Sequence, residues 1–410
     1  MTNRQAAIKI IKRLHQNGFE ALLAGGCVRD MLLGRPAKDY DVATDAVPRD
    51  VIRLFRHTIK VGAKFGVVMV LIEGQQVEVA TFRNEAGYED GRHPDRIEFV
   101  EAREDASRRD FTINGMFYDP LKSQVIDYIN GQADLEKKLI RTIGEPAERF
   151  GEDYLRMLRA VRFSAQLGFK IEQRTWSAIC SGAKNIIKIS GERISMELEA
   201  TFASSDRSAG AVMLTKSGLA EAIFPGFTGN EAKFGIAVLS ELRRKVNFPL
   251  ALACLFAGCS TSFTLQKCVI LMLSRNQNKH IKFLLTNRDK LLDENISLAQ
   301  LKTIAAEPCF QDLYEMQRAI QRARGGGRKS IAALINLRKR LKALGDIDLK
   351  PKPLLNGHDL IRLGAVQGPA LGQLAQEMYV AQLEGVLKTA RQAEAWVLKR
   401  LQKHKTTEKQ

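Results

Sequence analysis

Apolar residues over the first 140 positions follow two rhythms. "RQAAIKIIKRLHQ", Arg4 to Gln16, carries them at helical spacing, and "EALLAGG" is a short apolar run closed by Gly25 and Gly26. "VRDMLLG" returns to helical spacing as far as Gly34, whereas "DYDVATD", Asp39 to Asp45, alternates at period two as a half-buried strand does. "VVMVLIEGQQVEVATF" reads as two β-rich runs around a glycine turn, which is a hairpin, and "RIEFVEA" and "SQVIDYI" supply further strands. These segments predict a small α/β head around a short sheet over residues 1–140. From about residue 146 the strand rhythm fades. "EDYLRMLRAVRFSAQLGF", "RISMELEATF", "NFPLALACLFAG", "LQKCVILMLS" and "GPALGQLAQEMYVAQLEGVLKTARQAEAWVLKRLQ" all space apolar residues at i, i+3, i+4, so the remainder is expected to be nearly all helix.

Composition narrows the class. A chain of 410 residues is too long for one ordinary core, and 45% hydrophobic residues leave ample core material, so only the polar end "QKHKTTEKQ" reads as loose. The formal net charge of +17 points to polyanionic partners, nucleic acid first. The tract "RARGGGRKSIAALINLRKRLKALGDIDLKPK" concentrates ten Lys/Arg against two Asp, and Arg322, Arg324, Arg328 and Lys329 within it are candidate phosphate contacts. Six cysteines without C-x-x-C or Cys/His spacing indicate neither disulfides nor a zinc site and read as buried small hydrophobes. The charged amphipathic start and the lack of a membrane-length apolar run predict a cytoplasmic protein with no membrane partner.

The candidate chemistry lies in the head. If Asp39 and Asp41 sit on one strand, the i, i+2 spacing puts both carboxylates on the same face and turns Tyr40 and Val42 to the core. Glu78, between Val77 and Val79 on a neighbouring run, offers a third acid. Such a set suits two Mg²⁺ ions that activate a hydroxyl and stabilise a leaving pyrophosphate. Gly25 and Gly26, ending a strand before a helix, can bring backbone N–H groups to a triphosphate without a Cβ in the way, with Arg29 one turn later.

Taken as one continuous helix, "EDYLRMLRAVRF" places Arg156 at roughly 300° and Arg159 at roughly 240° from Asp153, with Tyr154, Leu155, Leu158, Val161 and Ala165 on an apolar back. Arg162, at roughly 180°, reads equally as a structural ion-pair residue. A carboxylate beside a guanidinium is an acceptor next to donors. Cytosine and adenine both offer an exocyclic amino donor beside a ring-nitrogen acceptor, and guanine and uracil reverse that pattern. Asp153 with Arg156 can therefore accept CTP and ATP without a template.

"LLAGGCVRDMLLGRPAKDYDVATDA", "EVATFR", "EDASRRDFTINGM" and "GEDYLRMLRAVRFSAQLGF", in this order, resemble the class II tRNA nucleotidyltransferase and bacterial poly(A) polymerase family over roughly residues 20–200, with a looser likeness in "LLNGHDLIRLGAVQGPALGQLAQEMYVAQLEG". The resemblance implies an α+β fold: a polymerase β-like nucleotidyltransferase head, residues 1–140, followed by an elongated helical neck at 141–200, body at 201–290 and RNA-binding tail at 291–410. It implies Asp39 and Asp41 as the metal pair and Glu78 as the third acid. Gly26, Arg29 and Arg109 match positions that contact the incoming triphosphate, and Asp153, Arg156, Arg159 and Arg162 match nucleotide-contacting ones. Asp110 and Asn114 read either as part of that site or as residues that order the backbone.

The expected partners are tRNA, CTP and ATP, and the expected reaction is C-C-A addition or addition of the terminal A alone. The polar segment Asn84 to Phe99, where the family carries a flexible element that CC-only enzymes shorten, is of full length. A poly(A) polymerase is the nearest alternative, although those enzymes usually carry a longer basic C-terminal extension. A catalytically dead RNA-binding protein is the alternative of another class. "GHDL", Gly357 to Leu360, reads as the start of a helix or a local ion pair, not as an appended phosphohydrolase site.

Overall fold

The computed structural model describes residues 1–60, 66–86, 96–243, 246–293, 295–325, 328–343 and 348–407, and its chain divides into two compact units. Unit 1 comprises Met1–Ala232 with Lys267–Leu273 and contains the whole predicted head and neck. It opens with α1 (Asn3–Gln16), started by a Thr2/Gln5 capping box and burying Ala6, Ala7, Ile10, Ile11 and Leu14 on one face. Then come β1 (Ala21–Ala24), α2 (Gly26–Leu32), β2 (Asp41–Thr44), α3 (Pro48–Leu54), β3 (Thr58–Ile59), β4 (Val67–Ile72), β5 (Gln75–Thr81), β6 (Arg83–Ala86), β7 (Arg96–Phe99) and α4 (Ala102–Ser107). They are followed by β8 (Phe117–Asp119), β9 (Gln124–Ile126), α5 (Gly131–Glu136), β10 (Leu139–Ile140), α6 (Pro146–Glu152), α7 (Leu155–Leu167), β11 (Lys170–Ile171), α8 (Gln173–Gly182), α9 (Gly191–Phe202) and α10 (Arg207–Lys216).

Seven strands form one sheet in the order β3-β4-β5-β2-β1-β8-β9. The hairpin β4–β5 turns at Glu73 and Gly74 with φ of 46° and 78°, the left-handed pair that a two-residue turn matched to strand twist requires. Strand β1, four residues without a polar side chain, is buried from end to end in the sheet's interior, between β2 and β8. Strand β2 runs parallel to β5 with Val42 opposite Val79, so Asp41 and Glu78 stand side by side one residue earlier. Leu22, Ala24, Ala43, Phe82, Ala102, Ala106 and Phe117 pack as a buried cluster in the head, with Phe82 and Phe117 edge to face at 5.7 Å.

Two expectations need correction. Asp39 is not on the strand: β2 begins at Asp41, because its pairing with β1 ends at Ala24 and Gly25 then turns the chain away at φ +74°. Nor do Asp153 and Arg156 share one helix. Helix α6 ends at Glu152, Asp153 is extended at φ −150° and ψ 104°, and its Oδ1 accepts the Leu155 N–H at 3.0 Å. A carboxylate that takes an N–H from the next turn competes with the helical ladder, so one predicted helix is two. The apolar back survives: Leu155, Leu158, Val161 and Ala165 are buried and Tyr154 is half-buried. Helix α7 ends at Gly168, φ +71°, whose N–H reaches the Ser164 carbonyl. Beyond residue 146 one short strand is found among the described residues, β11, paired with β10.

Unit 2, Lys233–Gln266 with Ser274–Gln410, consists of helices and their connections, with no strand among its described residues. "GHDL" starts the helix Gly357–Arg362, with Asn356 and Asp359 forming its capping box. Four of the cysteines are buried as expected; Cys180 is exposed and Cys309 intermediate. Among the described residues no helix is long and apolar enough to cross a membrane.

Candidate active site

A cleft of about 680 Å³ opens in unit 1, within the size range of small-molecule sites. Asp39, Asp41, Glu78, Gly25, Gly26, Arg29, Arg109, Asp153, Arg156, Arg159 and Arg162 all line it. Residues scattered over more than 120 positions of sequence thus meet at one place, because β1, β2 and β5 are neighbours in the sheet and α7 faces their ends.

One wall is acidic. Burial, then Glu78, then Asp39 push the Asp41 carboxyl up from its ordinary 3.8 to about 6, against a smaller opposing pull from Arg109. The three carboxylates form no ion pair among the described residues. No three acidic, histidine or cysteine side chains there converge as a closed metal cage. Their chemistry nevertheless fits a hard divalent cation. Mg²⁺ is commonly held by one or two carboxylates plus substrate phosphates, and mutually repelling oxygen ligands beside open space suit that arrangement.

The other wall is cationic and tied down. Arg159 donates through Nε and Nη2 to Asp110 Oδ2 at 2.8 and 2.6 Å. Asp110 Oδ1 accepts from the Phe111 N–H and from Asn114 Nδ2, and Asn114 Oδ1 in turn accepts from Arg29 Nη1 at 2.7 Å. Burial alone would raise the Asp110 carboxyl; the Arg159 guanidinium, with both hydrogen bonds, holds it instead at about 2. Asp110 and Asn114 therefore order the backbone and also chain the head, through Arg29, to α7, through Arg159. The ring of Phe163 lies at 4.1 to 5.5 Å from the guanidiniums of Arg162, Arg29 and Arg159. Arg162 donates from Nε to Glu197 Oε2 at 2.6 Å, the ion-pair alternative read for it, while still lining the cleft. Arg156 is buried and donates from Nη1 to the Arg149 carbonyl and to Glu152.

Of the glycine pair, Gly25 is required by its backbone, whereas an added Cβ at Gly26 would make only an ordinary contact, 3.8 Å from Arg29 Nη2. At Gly25, φ +74°, an added Cβ would sit 3.2 Å from Arg109 Nη1. Several cleft residues escaped the sequence reading: Arg83, Arg108 and Arg193 line it, and Asp105 and Glu197 hold its arginines from behind. Arg193 donates to Asp153 Oδ2 at 2.7 Å across 40 positions, a pairing that no local pattern announces. Asp105 was detectable in principle, since two consecutive arginines three and four residues after a carboxylate on a helix are a known pairing geometry.

Comparison with known proteins decides the family. Residues 21–141 match the poly A polymerase head domain, and residues 168–229 match the probable RNA and SrmB-binding site of polymerase A. The CCA-adding enzyme of Lactobacillus gasseri is 36% identical over 402 residues, spanning 93% of this chain and 94% of its own. The chain belongs to the CCA-adding enzyme family. The CCA-adding enzyme of Geobacillus thermodenitrificans is 46% identical over 216 residues, about half of each chain. The crystal structure of the Bacillus stearothermophilus CCA-adding enzyme in complex with CTP matches with a TM-score of 0.82 at 30% identity, over 99% of this chain and all of that one. As a member of this family the chain is a nucleotidyltransferase with a sheet-based head and a helical C-terminal region.

Of the basic tract, Arg322 and Arg324 lie on the second unit. Arg322 Nη1 is 3.6 Å from Glu241, and Arg324 stacks at 5.7 Å over Phe234. Arg328 and Lys329 fall outside the residues whose side chains are described, as does most of the segment from Asn84 to Phe99.

Proposed function

We propose that this protein, acting in the cytoplasm, builds the whole C-C-A end of tRNA from CTP and ATP in the one cleft. In each cycle the terminal 3′ hydroxyl of the RNA gives up its proton to solvent and its oxygen bonds to the α-phosphorus, the bond from that phosphorus to the β-phosphate bridge breaks, and pyrophosphate leaves. Asp39, Asp41 and Glu78 are the residues to hold Mg²⁺, in two ions. Such ions lower the cost of the attacking hydroxyl and of the leaving pyrophosphate.

The protein's own groups do the positioning. The backbone at Gly25 and Gly26, Arg29 and Arg109 receive the triphosphate, and Arg159 and Arg162 close the cationic side. Asp153 accepts from the exocyclic amino group of cytosine or adenine while Arg156 donates to the ring nitrogen. Both Asp153 oxygens already accept one donor each, from Leu155 and Arg193, so the carboxylate is fixed before the base arrives and keeps further lone pairs to offer. On the second unit Arg322 and Arg324 contact tRNA phosphates.

The observation that carries the reading is the meeting of the acidic trio, the arginine set and the Asp153–Arg156 pair in one cleft of a chain alike, almost end to end, to CCA-adding enzymes. The test is incubation of the protein with CTP, ATP, Mg²⁺ and tRNAs ending before CC, after CC and after CCA, followed by sequencing. The expected products are CCA, CCA and no extension. Extension of only the second tRNA identifies terminal-A addition alone, and long A tails on the third identify a poly(A) polymerase.

A further inference from the structure

Asp105 lines no part of the cleft, yet three cleft-lining residues converge on it. Its side chain is buried at 1% exposure near the C-terminal end of α4. Arg108 meets Oδ1 side-on, with Nε at 2.8 Å and Nη2 at 2.6 Å. Arg109 meets Oδ2 side-on, with Nε at 3.1 Å and Nη2 at 2.9 Å. The backbone N–H of Arg83, the first residue of β6, reaches Oδ1 at 3.3 Å.

Such a carboxylate is committed to its partners. Burial opposes its charge, but the two guanidiniums outweigh burial and hold the Asp105 carboxyl below its usual range. The consequence for Arg109 is directional. With Nε and Nη2 used on Asp105, Nη1 is the edge left over, and it lies beside the strand-to-helix turn, where a Cβ added at Gly25 would come within 3.2 Å of it. The ring of Phe117, itself fully buried, lies 5.0 Å from the same guanidinium and blocks its other face. Arg109 is thereby held by a carboxylate, a ring and a glycine, with one donor edge aimed where the turn exposes backbone.

We propose that Asp105 is a positioning residue for the triphosphate: one buried carboxylate that sets two arginines, Arg108 and Arg109, side by side as a preformed clamp for the β- and γ-phosphates, and adds Arg108 to the substrate-binding set. The proposal rests on the functional reading above. Its physical basis is preorganisation. A free arginine pays rotamer entropy and like-charge repulsion when it joins another on one phosphate chain, and Asp105 meets both costs during folding.

The test uses the full chain and compares ligands that carry or lack the phosphate tail. Wild type, Asp105→Asn, Asp105→Glu and Arg108→Ala are assayed for binding of ATP, pyrophosphate and adenosine and for KM of ATP, CTP and tRNA. Asp105→Asn and Arg108→Ala are expected to weaken ATP and pyrophosphate binding about tenfold or more, the scale of a charge-assisted hydrogen bond. Adenosine binding and the KM for tRNA stay within about twofold, and Asp105→Glu recovers part of the loss. Unchanged pyrophosphate affinity in a folded Asp105→Asn protein, or an equal loss for adenosine, would overturn the assignment. Should Asp105→Asn fail to fold, Arg108→Ala decides alone, and retained pyrophosphate affinity in it refutes the clamp. A wild type that transfers nucleotides while the variants match it refutes the clamp only; a wild type that transfers nothing refutes the function.

Discussion

The two walls of the cleft were solved by folding in opposite ways. On the arginine wall Arg29, Arg108, Arg109, Arg156, Arg159, Arg162 and Arg193 each lean on a neighbouring carboxylate: Asp30, Asp105, Glu152, Asp110, Glu197 or Asp153. On the acidic wall Asp39, Asp41 and Glu78 face one another, and Asp41 is driven to about 6. One wall is finished when the chain has folded, and the other stays under electrostatic tension that an arriving cation relieves. The contrast separates two tasks. Orientation of a substrate gains from groups already fixed, whereas ions that come and go with nucleotide and pyrophosphate are best met by ligands lacking a permanent partner.

The largest break in this contrast comes from the acidic wall. Asp39→Ala or Asp41→Ala is expected to lower transfer by roughly a thousandfold or more, with tRNA affinity kept within about twofold in a filter-binding assay. Unchanged turnover in either variant removes the assignment of that wall. Next is the keystone of the arginine wall. Asp110→Ala takes the two-bond carboxylate from Arg159, which is a third exposed and keeps Glu197 at 3.8 Å, so the expected cost is about 1–3 kcal/mol in urea unfolding. Since the folded Asp110 is depressed from 3.8 to about 2, its contribution is present above 3.8 and lost as pH falls through 2. The deficit of the variant is therefore expected to hold from pH 8 to pH 4 and to shrink only below that.

Asp153→Ala tests selection rather than turnover. UMP and GMP incorporation should rise relative to CMP and AMP by about 1–3 kcal/mol of lost discrimination, with the metal requirement intact; a uniform loss over all four nucleotides puts base selection elsewhere. A smaller effect sharpens the acidic wall. Asp41 titrates near 6 when folded and near 3.8 otherwise, so its contribution to stability is greatest below 3.8 and is lost as pH rises through 6. Metal-free Asp41→Asn is expected to melt higher than wild type at pH 8 and to match it at pH 4, by calorimetry in chelator. The smallest change is expected on the second unit, where Arg322→Ala with Arg324→Ala should flatten the log–log salt dependence of tRNA binding by roughly 0.7–0.9 per lost contact.

What could be read in the sequence follows from how far apart the interacting residues lie. The hairpin at Glu73 and Gly74, the buried strand Ala21–Ala24 and the apolar back of α7 are local patterns, legible because neighbours in sequence carry them. The gathering of the predicted site residues came from a resemblance that covers them all. What stayed hidden was support from a distance: Arg193 on Asp153, Glu197 on Arg162 and Asp110 on Arg159 are separated by 40, 35 and 49 positions. The two misplacements share one cause. Asp39 lies outside β2 because pairing stops at Ala24, and Asp153 lies outside α7 because its own side chain takes the N–H of Leu155, the first residue of that helix. Periodicity shows which face a residue would occupy, but the end of an element depends on hydrogen bonds that periodicity does not register.

The Asp110–Arg159 bridge also bears on how such proteins can be recombined. The head-domain match closes at residue 141, an inviting seam for a chimera that grafts the head of one relative onto the neck of another. A cut there parts Asp110 from Arg159, Asn114 and Arg29 remaining on the head side and the guanidinium on the other. A hybrid that keeps both partners inherits a working joint. One that supplies a neutral side chain on either side of the seam loses that bridge, and because Arg193 holds Asp153 and Glu197 holds Arg162, the exchangeable module in this protein runs through α9, to Phe202, not to where the head's sequence signature stops.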